Sequence, residues 1–256
     1  MPVEAKSQWD VHIVAGAIAF EKGDYAAAEH MFRAALKEAE KFGEKDPRLA
    51  HTLNNLALAC CSQGKHQDAE PLYKRAISID EAVLGPNDPD LAMDLSNLAA
   101  HFRRIGKYDD AEQCYRRALS ITERRHGKEA LETARLMNGL AVVHCEKGQC
   151  DQAEELYKKA LDIRERELGS KSTEVAETLG NLATLYCKNN RCEEAAPMFE
   201  RSISNLGYTL GPDHPELATA LENYADFLRK NNRTAEADEA ESSAEKIWKK
   251  VGNHGS

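Results

Sequence analysis

The sequence has few aromatic residues, no long apolar run and no excess of positive charge. Aromatic side chains make up 6% of its 256 residues, and 34 Lys and Arg stand against 43 Asp and Glu, for a formal net charge of −9. Binding of duplex nucleic acid depends on Lys and Arg that neutralise phosphates, so this charge excludes nucleic acid as a general partner. The longest apolar stretch, residues 11–20, contains His12 and is too short to span a bilayer. We therefore predict no membrane insertion.

The chain also lacks a secretory start, a disulfide pattern and catalytic motifs. Its first residues have no basic region that leads into an apolar segment, which predicts a cytoplasmic protein. Seven cysteines, an odd number without such a signal, fit a reducing compartment. The phosphate-binding motif Gly-x-x-x-x-Gly-Lys-Ser/Thr, the dinucleotide motif Gly-x-Gly-x-x-Gly and the zinc motif His-Glu-x-x-His are all absent. These absences predict a non-enzymatic protein.

What the sequence does contain is an internal repeat of 42 residues. The segments 64–70, 106–112 and 148–154 share the pattern Gly-x-x-x-x-Ala-Glu, and Asn190 and Asn232 continue the register. A fixed period in this range is typical of repeat architectures. Because Asn is the residue that, after Gly, best tolerates a positive φ, the shared position is predicted to be a left-handed turn.

Apolar residues with helical spacing lie on both sides of this turn. Leu53, Leu56 and Cys60 precede the turn at residue 64, and Ala69 and Tyr73 follow it. No alternation typical of strands is present. We predict an all-α fold, a right-handed α-solenoid of about six helix-turn-helix repeats that forms a single array over residues 1–256. The predicted repeats are 8–48, 49–90, 91–132, 133–174, 175–216 and 217–250, the last a capping unit with a polar outer face.

The residues of the repeat resemble the tetratricopeptide repeat, although the period alone also suits armadillo and HEAT arrays. The resemblance rests on a Gly-x-Tyr-x-x-Ala turn followed by Tyr or Phe and then Ala. Segments 53–57, 64–76 and 210–215 are similar to the 42-residue tetratricopeptide repeats of kinesin light chains. A kinesin light chain has a long coiled coil before its repeats, whereas only a few residues precede the first helix here. The resemblance is to the repeat domain alone, and it implies a scaffold or adaptor for protein interactions.

The resemblance also implies a concave groove, lined by the first helix of each repeat, that binds a segment of a partner protein. Carried over to this chain, the predicted peptide-binding residues are His51, Asn54, Leu58, Ser96, Arg103, Arg104, Arg135, Asn138, Lys188, Arg229 and Lys230. All the groove positions together, which also include Glu146, Glu177, Glu222 and Asp226, hold six Lys or Arg against these four acids, in a chain that is acidic overall. With Asn54 and Asn138 as hydrogen-bonding groups, this composition favours a short acidic peptide. Simple solvation of exposed helix positions explains the same charges without a ligand.

Two alternatives to peptide binding come from other features. The apolar stretch 11–20 offers a surface for self-assembly, so the second hypothesis is a structural homo-oligomeric module. The third is an enzyme with a thiol nucleophile, for which Cys145 and Cys187 are the candidates in the groove.

Cysteine spacing also raises the question of a metal. Cys145 and Cys187 are each followed five residues later by another cysteine, at 150 and 192, and His144 adjoins the first pair. Zinc sites have tighter pairs such as Cys-x-x-Cys, and a repeat duplicates any residue type without requiring a metal. We predict no metal site and no cofactor.

Asparagine recurs one position beyond the groove position of Asn54, at residues 55, 97, 181 and 223. Recurrence in nearly every repeat favours a structural role, such as a hydrogen bond to a neighbouring helix, over contact with a ligand.

Overall fold

The computed structural model describes residues 7–253, and within them the chain is helical with no strand. A short 3-10 turn, Glu40–Phe42, continues the second helix. The helices are α1 (Gln8–Glu21), α2 (Tyr25–Ala39), α3 (Pro47–Ser62), α4 (His66–Val83), α5 (Pro89–Arg104), α6 (Tyr108–His126), α7 (Leu131–Glu146), α8 (Cys150–Leu168), α9 (Thr173–Lys188), α10 (Cys192–Thr209), α11 (Pro215–Lys230) and α12 (Thr234–Asn253). The predicted all-α fold is confirmed.

The chain divides into two compact units, Met1–Gly127 and Lys128–Ser256. Each unit consists of three antiparallel helical hairpins, which are α1–α2, α3–α4 and α5–α6 in the first and α7–α8, α9–α10 and α11–α12 in the second. Residues 7–253 therefore contain six helix-turn-helix repeats. Their continuation as a single array, with a cap at the last repeat, stays a prediction. Within residues 7–253, no helix combines the length and the apolar character needed to cross a membrane.

Each hairpin turns at the residue that the repeat predicts. Gly64, Gly106 and Gly148 have φ values of 76°, 76° and 74°, and Asn190 and Asn232 have φ values of 60° and 58°. Any other side chain meets a steric penalty in this left-handed conformation, so the repeat keeps Gly or Asn there. The left-handed turn is confirmed.

From the second repeat onward, the first helix of each repeat begins two residues before the approximate repeat boundary. In the loops that precede α3 and α5, an aspartate caps the helix and a proline takes its first position: Asp46 accepts a hydrogen bond from the Arg48 amide at 3.0 Å, and Asp88 does the same for Asp90 at 3.0 Å. Proline suits this position because its missing N–H would have no partner inside the helix. Pro47 and Pro89 therefore open the helices that follow these loops.

Small residues at fixed positions let the two helices of a hairpin approach closely. A Cβ atom added to Gly16 in α1 would lie 2.4 Å from Cε1 of Phe32 in α2. At the equivalent position of later repeats, Ala57 and Ala141 have no exposed surface. The hairpin interface therefore leaves room for a methyl group at most, which explains the recurring Gly and Ala in the sequence.

Ion pairs join successive hairpins within each unit. Glu29 lies 2.6 Å from Lys65, Glu70 lies 3.0 Å from Lys107, and Glu154 lies 2.5 Å from Arg191. The hydrogen bond from Lys65 lowers the pKa of Glu29 to about 2. The acid and the base of these pairs hold equivalent positions in successive repeats. The pairs are therefore a recurring ionic contact between hairpins, which the sequence pattern alone did not reveal.

Candidate functional site

The predicted groove residues of the first unit lie on α3 and α5 at different depths. His51 and Arg104 are solvent-exposed. Leu58 and Arg103 are half-buried, and Asn54 and Ser96 are buried. The exposed and half-buried members are accessible to a partner as they stand. The two buried residues lie in the packed contact between helices and are not accessible to a partner.

Asn54 connects two repeats. Its side chain is 5% exposed, and its Oδ1 accepts a hydrogen bond of 3.2 Å from Nδ2 of Asn97 in α5. The recurring asparagine at position 97 therefore has a structural role, as its recurrence predicted. Asn54 itself is already engaged by this bond.

Arg103 and Arg104 lie in the last turn of α5. Nη1 of Arg104 donates to the backbone carbonyl of Cys61, at the end of α3, over 3.3 Å, while the residue remains exposed. Positive charge at a helix C-terminus is favoured by the helix dipole, and the carbonyls there have no partner inside the helix. The pair thus forms a positive edge at the C-terminal ends of the first helices.

In the second unit, four of the five predicted residues are exposed cations and the fifth is buried. Asn138 on α7 is 4% exposed, and its Nδ2 donates to Oε1 of Glu177 on α9 over 3.1 Å. Its Oδ1 is buried without a hydrogen-bond partner. The exposed residues are Arg135, Lys188, Arg229 and Lys230.

The cations of the second unit differ in how far their charge is compensated. Arg229 pairs with Glu241 and approaches Asp238 to 3.5 Å, and both acids belong to the same hairpin. Lys188, by contrast, lies 4.0 Å from the nearest carboxylate oxygen of Glu146. Lys188 is therefore the better candidate for binding an external acid, because local carboxylates compensate the charge of Arg229.

The second unit contains a concave pocket of about 450 Å³ between α9, α10 and α11. Phe199 and Ser202 of α10 line it, together with Asn181 of α9 and Asn223 of α11. The two asparagines are members of the recurring series, for which a structural role was predicted. In this unit, both asparagines line a pocket. The sequence did not identify them as candidate ligand contacts, because a residue that recurs in every repeat can serve either ligand binding or packing between helices.

A smaller hollow of about 80 Å³ adjoins this pocket, between α7 and α9. Lys188, Cys145 and Val142 line it, and Asn181 lines both cavities. First helices of neighbouring repeats thus share one concave surface in the second unit, with Asn181 at its centre.

Charge along this surface is segregated by helix end. Glu174 and Glu216 lie in the first turns of α9 and α11, whereas Lys188 and Lys230 lie in their last turns. The carboxylates line the larger pocket, which contains no Lys or Arg. An acidic ligand group would therefore meet the C-terminal ends of these helices and avoid their N-terminal ends.

Burial affects the two candidate thiols. Cys145 and Cys187 are half-buried, and burial raises the pKa of both thiols. The thiol of Cys145 also donates to the hydroxyl of Tyr157 over 3.9 Å. A raised pKa keeps a thiol protonated at neutral pH, whereas the nucleophile is the thiolate. On balance, the surroundings of these two residues raise a thiol pKa that a thiol enzyme would need to have lowered.

Helical hairpins with Gly or Asn turns, small residues at their interfaces and a shared concave surface define a helical-repeat protein. A sequence model described as tetratricopeptide repeat matches residues 11–82, 49–124 and 132–206, and a second one with this description matches 96–167 and 181–250. The chain belongs to the tetratricopeptide-repeat family. Repeats of this family are in general non-enzymatic scaffolds for protein–protein interaction.

Solved structures with the same fold include three that are similar over most of this chain. BtubC (BKLC) from P. vanneervenii has a TM-score of 0.68 at 23% identity, over 96% of this chain and 93% of its own. A putative kinesin light chain from Podosopora anserina, with nearly identical repeats, has a TM-score of 0.66 at 21% identity, over 81% and 98%. A Rap protein complexed with competence and sporulation factor has a TM-score of 0.67 at 14% identity, over 96% and 76%. No curated protein sequence matches the chain significantly.

Proposed function

We propose that this protein is an adaptor that binds a short acidic segment of a partner protein along its first helices. The observation that carries the proposal is the concave surface of the second unit, where α7, α9 and α11 meet around Asn181 and Asn223. Side-chain amides one repeat apart suit the backbone of an extended peptide, which presents donors and acceptors at regular intervals.

The acidic character of the segment rests on the positive edge of each unit. Arg103 and Arg104 form that edge in the first unit, and Lys188 and Lys230 form it in the second. Arginine binds carboxylates through two parallel hydrogen bonds, which makes the Arg103–Arg104 pair the strongest candidate contact. The kinesin-light-chain-like and Rap structures support the assignment at the level of the fold.

A display library of random peptides tests the proposal whatever the identity of the partner. We expect the enriched peptides to be rich in Asp and Glu and their affinity to fall with added salt, because exposed charge pairs are screened. The double variant Arg103→Glu/Arg104→Glu should weaken binding at least tenfold, measured by fluorescence anisotropy. The matched control, Arg124→Glu/Arg125→Glu, makes the same charge change at the end of the second helix α6 and should bind normally.

Two results would contradict the peptide proposal. One is enrichment of peptides without an acidic bias. The other is equal loss of binding in the Arg124→Glu/Arg125→Glu control, which would mean that net charge alone, and not the edge formed by Arg103 and Arg104, governs capture.

Self-assembly through α1 is the second candidate, because this helix exposes an apolar stripe. Val11, Val14 and Ile18 are each 46% to 48% exposed and lie three and four residues apart, on one face. A second copy of the chain would cover this face in a dimer. Light scattering at two concentrations tests this: Val14→Glu should abolish association, and Val83→Glu, at the end of α4, should not. A wild-type monomer at both concentrations would reject the idea.

A further inference from the structure

Three side chains that can bind a metal meet in the first unit, where α3 ends, α4 begins and α5 ends. They are Cys61, His66 and His101, and one ligating atom of each lies within 4.8 Å of the others. In the part of the chain that the structure describes, no other group of three or more His, Cys, Asp or Glu side chains has this arrangement. The cysteine pairs at 145/150 and 187/192 are not part of such a group.

The cluster lies inside the protein. Cys61 is 5% exposed and His101 is 2% exposed, and Sγ of Cys61 lies 3.0 Å from Nδ1 of His101. The rings of His66 and His101 are 5.6 Å apart between centroids. Tyr73 packs against His101 at 5.9 Å. The ligating atoms are thus held by packed helices and surrounded by aromatic rings.

Two imidazole nitrogens in this cluster have no hydrogen-bond partner. They are Nδ1 of His66 and Nε2 of His101, and both are buried. Buried polar atoms are nearly always paired, and an exception indicates a water or an ion that satisfies the group. A metal ion bound to Sγ of Cys61 and Nδ1 of His101 also satisfies the unpaired Nδ1 of His66 when that nitrogen is the third ligand.

We propose that Cys61, His66 and His101 bind one transition metal ion that prefers sulfur and nitrogen ligands, Zn²⁺ or Cu⁺. Thiolate and imidazole are ligands of both ions, whereas Ca²⁺ and Mg²⁺ take oxygen ligands, which this cluster lacks. The metal replaces the thiol proton of Cys61, which passes to solvent, because the ligand is the thiolate.

The pair formed by Cys61 and His101 needs only a small adjustment to bind one ion. Metal–sulfur and metal–nitrogen distances of about 2.3 and 2.0 Å place sulfur and nitrogen ligands of a tetrahedral ion about 3.5 Å apart. Sγ of Cys61 and Nδ1 of His101 therefore have to separate by about half an ångström. An ion can approach from the surface hollow lined by residues 64–68, which include His66.

The second unit contains an equivalent set that lacks one ligand. Two repeats after Cys61, His66 and His101, the chain has Cys145, Cys150 and Leu185. Leu185 is 1% exposed and belongs to an apolar cluster against which both cysteines pack. The leucine shows that an apolar side chain fits the position of His101 in this fold, and it suggests the variant that tests the site.

The experiment titrates the full chain, freed of metal by a chelator, with Zn²⁺ and separately with Cu⁺ under anaerobic reducing conditions. Competition with a coloured chelator measures affinity, and elemental analysis measures stoichiometry. We expect one equivalent of one of the two ions to bind. His101→Leu and Cys61→Ser should each lower the affinity at least tenfold, while Cys145→Ser should leave it unchanged.

A second measurement uses Co²⁺ as an optical probe. Thiolate coordination adds a sulfur-to-cobalt charge-transfer band, which should be present in the wild-type chain and absent in Cys61→Ser. Circular dichroism of each variant checks that it is folded, and His101→Leu is designed to keep the packing. The proposal is overturned if neither Zn²⁺ nor Cu⁺ binds stoichiometrically, or if His101→Leu binds like the wild type.

Discussion

The second and fourth repeats have the same scaffold but bury different chemistry. Helices α3 and α4 with α5, in the first unit, correspond residue for residue to α7 and α8 with α9 in the second. His101 in one becomes Leu185 in the other. Because the two regions have the same helices, the difference shows that this fold accepts polar, charged or apolar groups at the contact between repeats.

The contrast is sharpest between the second helix of one repeat and the first helix of the next. In the first unit, Asp80 and Asp94 are both buried and share a hydrogen bond. At the equivalent positions of the second unit, the buried Arg164 donates to the Thr178 hydroxyl over 2.6 Å. One contact buries two acids, and the other buries a cation with acceptors around it.

The largest effect is expected when the cation is removed. Arg164 also donates to the carbonyl of Glu174 over 2.7 Å and lies 3.0 Å from Glu177. Arg164→Ala should destabilise the protein by about 3 kcal/mol, because it leaves buried acceptors unpaired and a void behind. Urea unfolding measures this. Arg166→Ala, an exposed arginine on the same helix, should cost less than about 1 kcal/mol; equal losses would mean that burial at residue 164 is unimportant.

At the buried pair Asp80 and Asp94, by contrast, we expect a substitution to stabilise the protein above neutral pH. Burial raises the pKa of Asp94 to about 8, so the folded chain binds a proton more tightly than the unfolded chain. Stability should therefore decrease as the pH rises from about 4, the unfolded value, through about 8. Asp94→Asn should reduce this dependence, to which Asp80 still contributes, and be more stable than the wild type above that range, by on the order of 1 kcal/mol.

Unfolding midpoints across this pH range check the effect of Asp94→Asn. Asp162→Asn, at a solvent-exposed carboxylate in the second unit, is the control and should leave the pH profile unchanged. A wild-type profile that is flat between pH values of about 4 and about 8 would refute the role of the acid pair.

A third prediction concerns the ion pairs that join successive hairpins, which are similar in the two regions. The hydrogen bond from Arg191 lowers the pKa of Glu154 to about 2. Its stabilisation is present above the unfolded value of about 4.3 and is lost as the pH falls towards 2. Glu154→Gln should cost about 1 kcal/mol at neutral pH, where the ion pair of the wild type is fully formed. Thermal unfolding at neutral and acidic pH should show the variant and the wild type converging in acid; a constant gap would exclude the ion pair as the cause.

The smallest effect is expected at the hairpin turns. Gly106 and Asn190 hold equivalent positions with φ values of 76° and 60°. Exchanging them, as Gly106→Asn and Asn190→Gly, should change stability by no more than about 0.5 kcal/mol, whereas Gly106→Ala should cost about 1 kcal/mol. Melting temperatures measure the series. A large decrease in the melting temperature of Gly106→Asn would show that the two turns are not equivalent.

The repeat and its hairpins could be predicted because they depend on local signals. Helical spacing, a Gly or Asn at the left-handed turn and a proline near the helix start act within a few residues of one another. The exact starts of α3 and α5 could not be predicted from the repeat, because a glycine and a proline in a loop indicate where a helix stops, whereas Pro47 and Pro89 take the first position of the next helix.

The candidate groove could be predicted only in part, because exposure depends on the neighbouring repeat. Arg104 and Lys188 are exposed, but Asn54 and Asn138 are buried under residues of the next hairpin. Asn181 and Asn223 line the pocket, although the sequence pattern of this series favoured a structural role. A residue one position along a helix faces a direction about 100° away, so a one-residue shift exchanges a groove position for an interface position.

By itself, the sequence determined that this protein is an acidic, all-α chain of six tetratricopeptide-like hairpins. The physical reason is that turn conformation and helix amphipathicity are local and are repeated every 42 residues. Only the tertiary structure decided which polar groups meet between repeats, because those partners are, for example, 14 or 40 residues apart in sequence and come together only when hairpins stack. Cys61 and His101 are such a pair, and their contact makes two residues that are distant in sequence part of the proposed metal site.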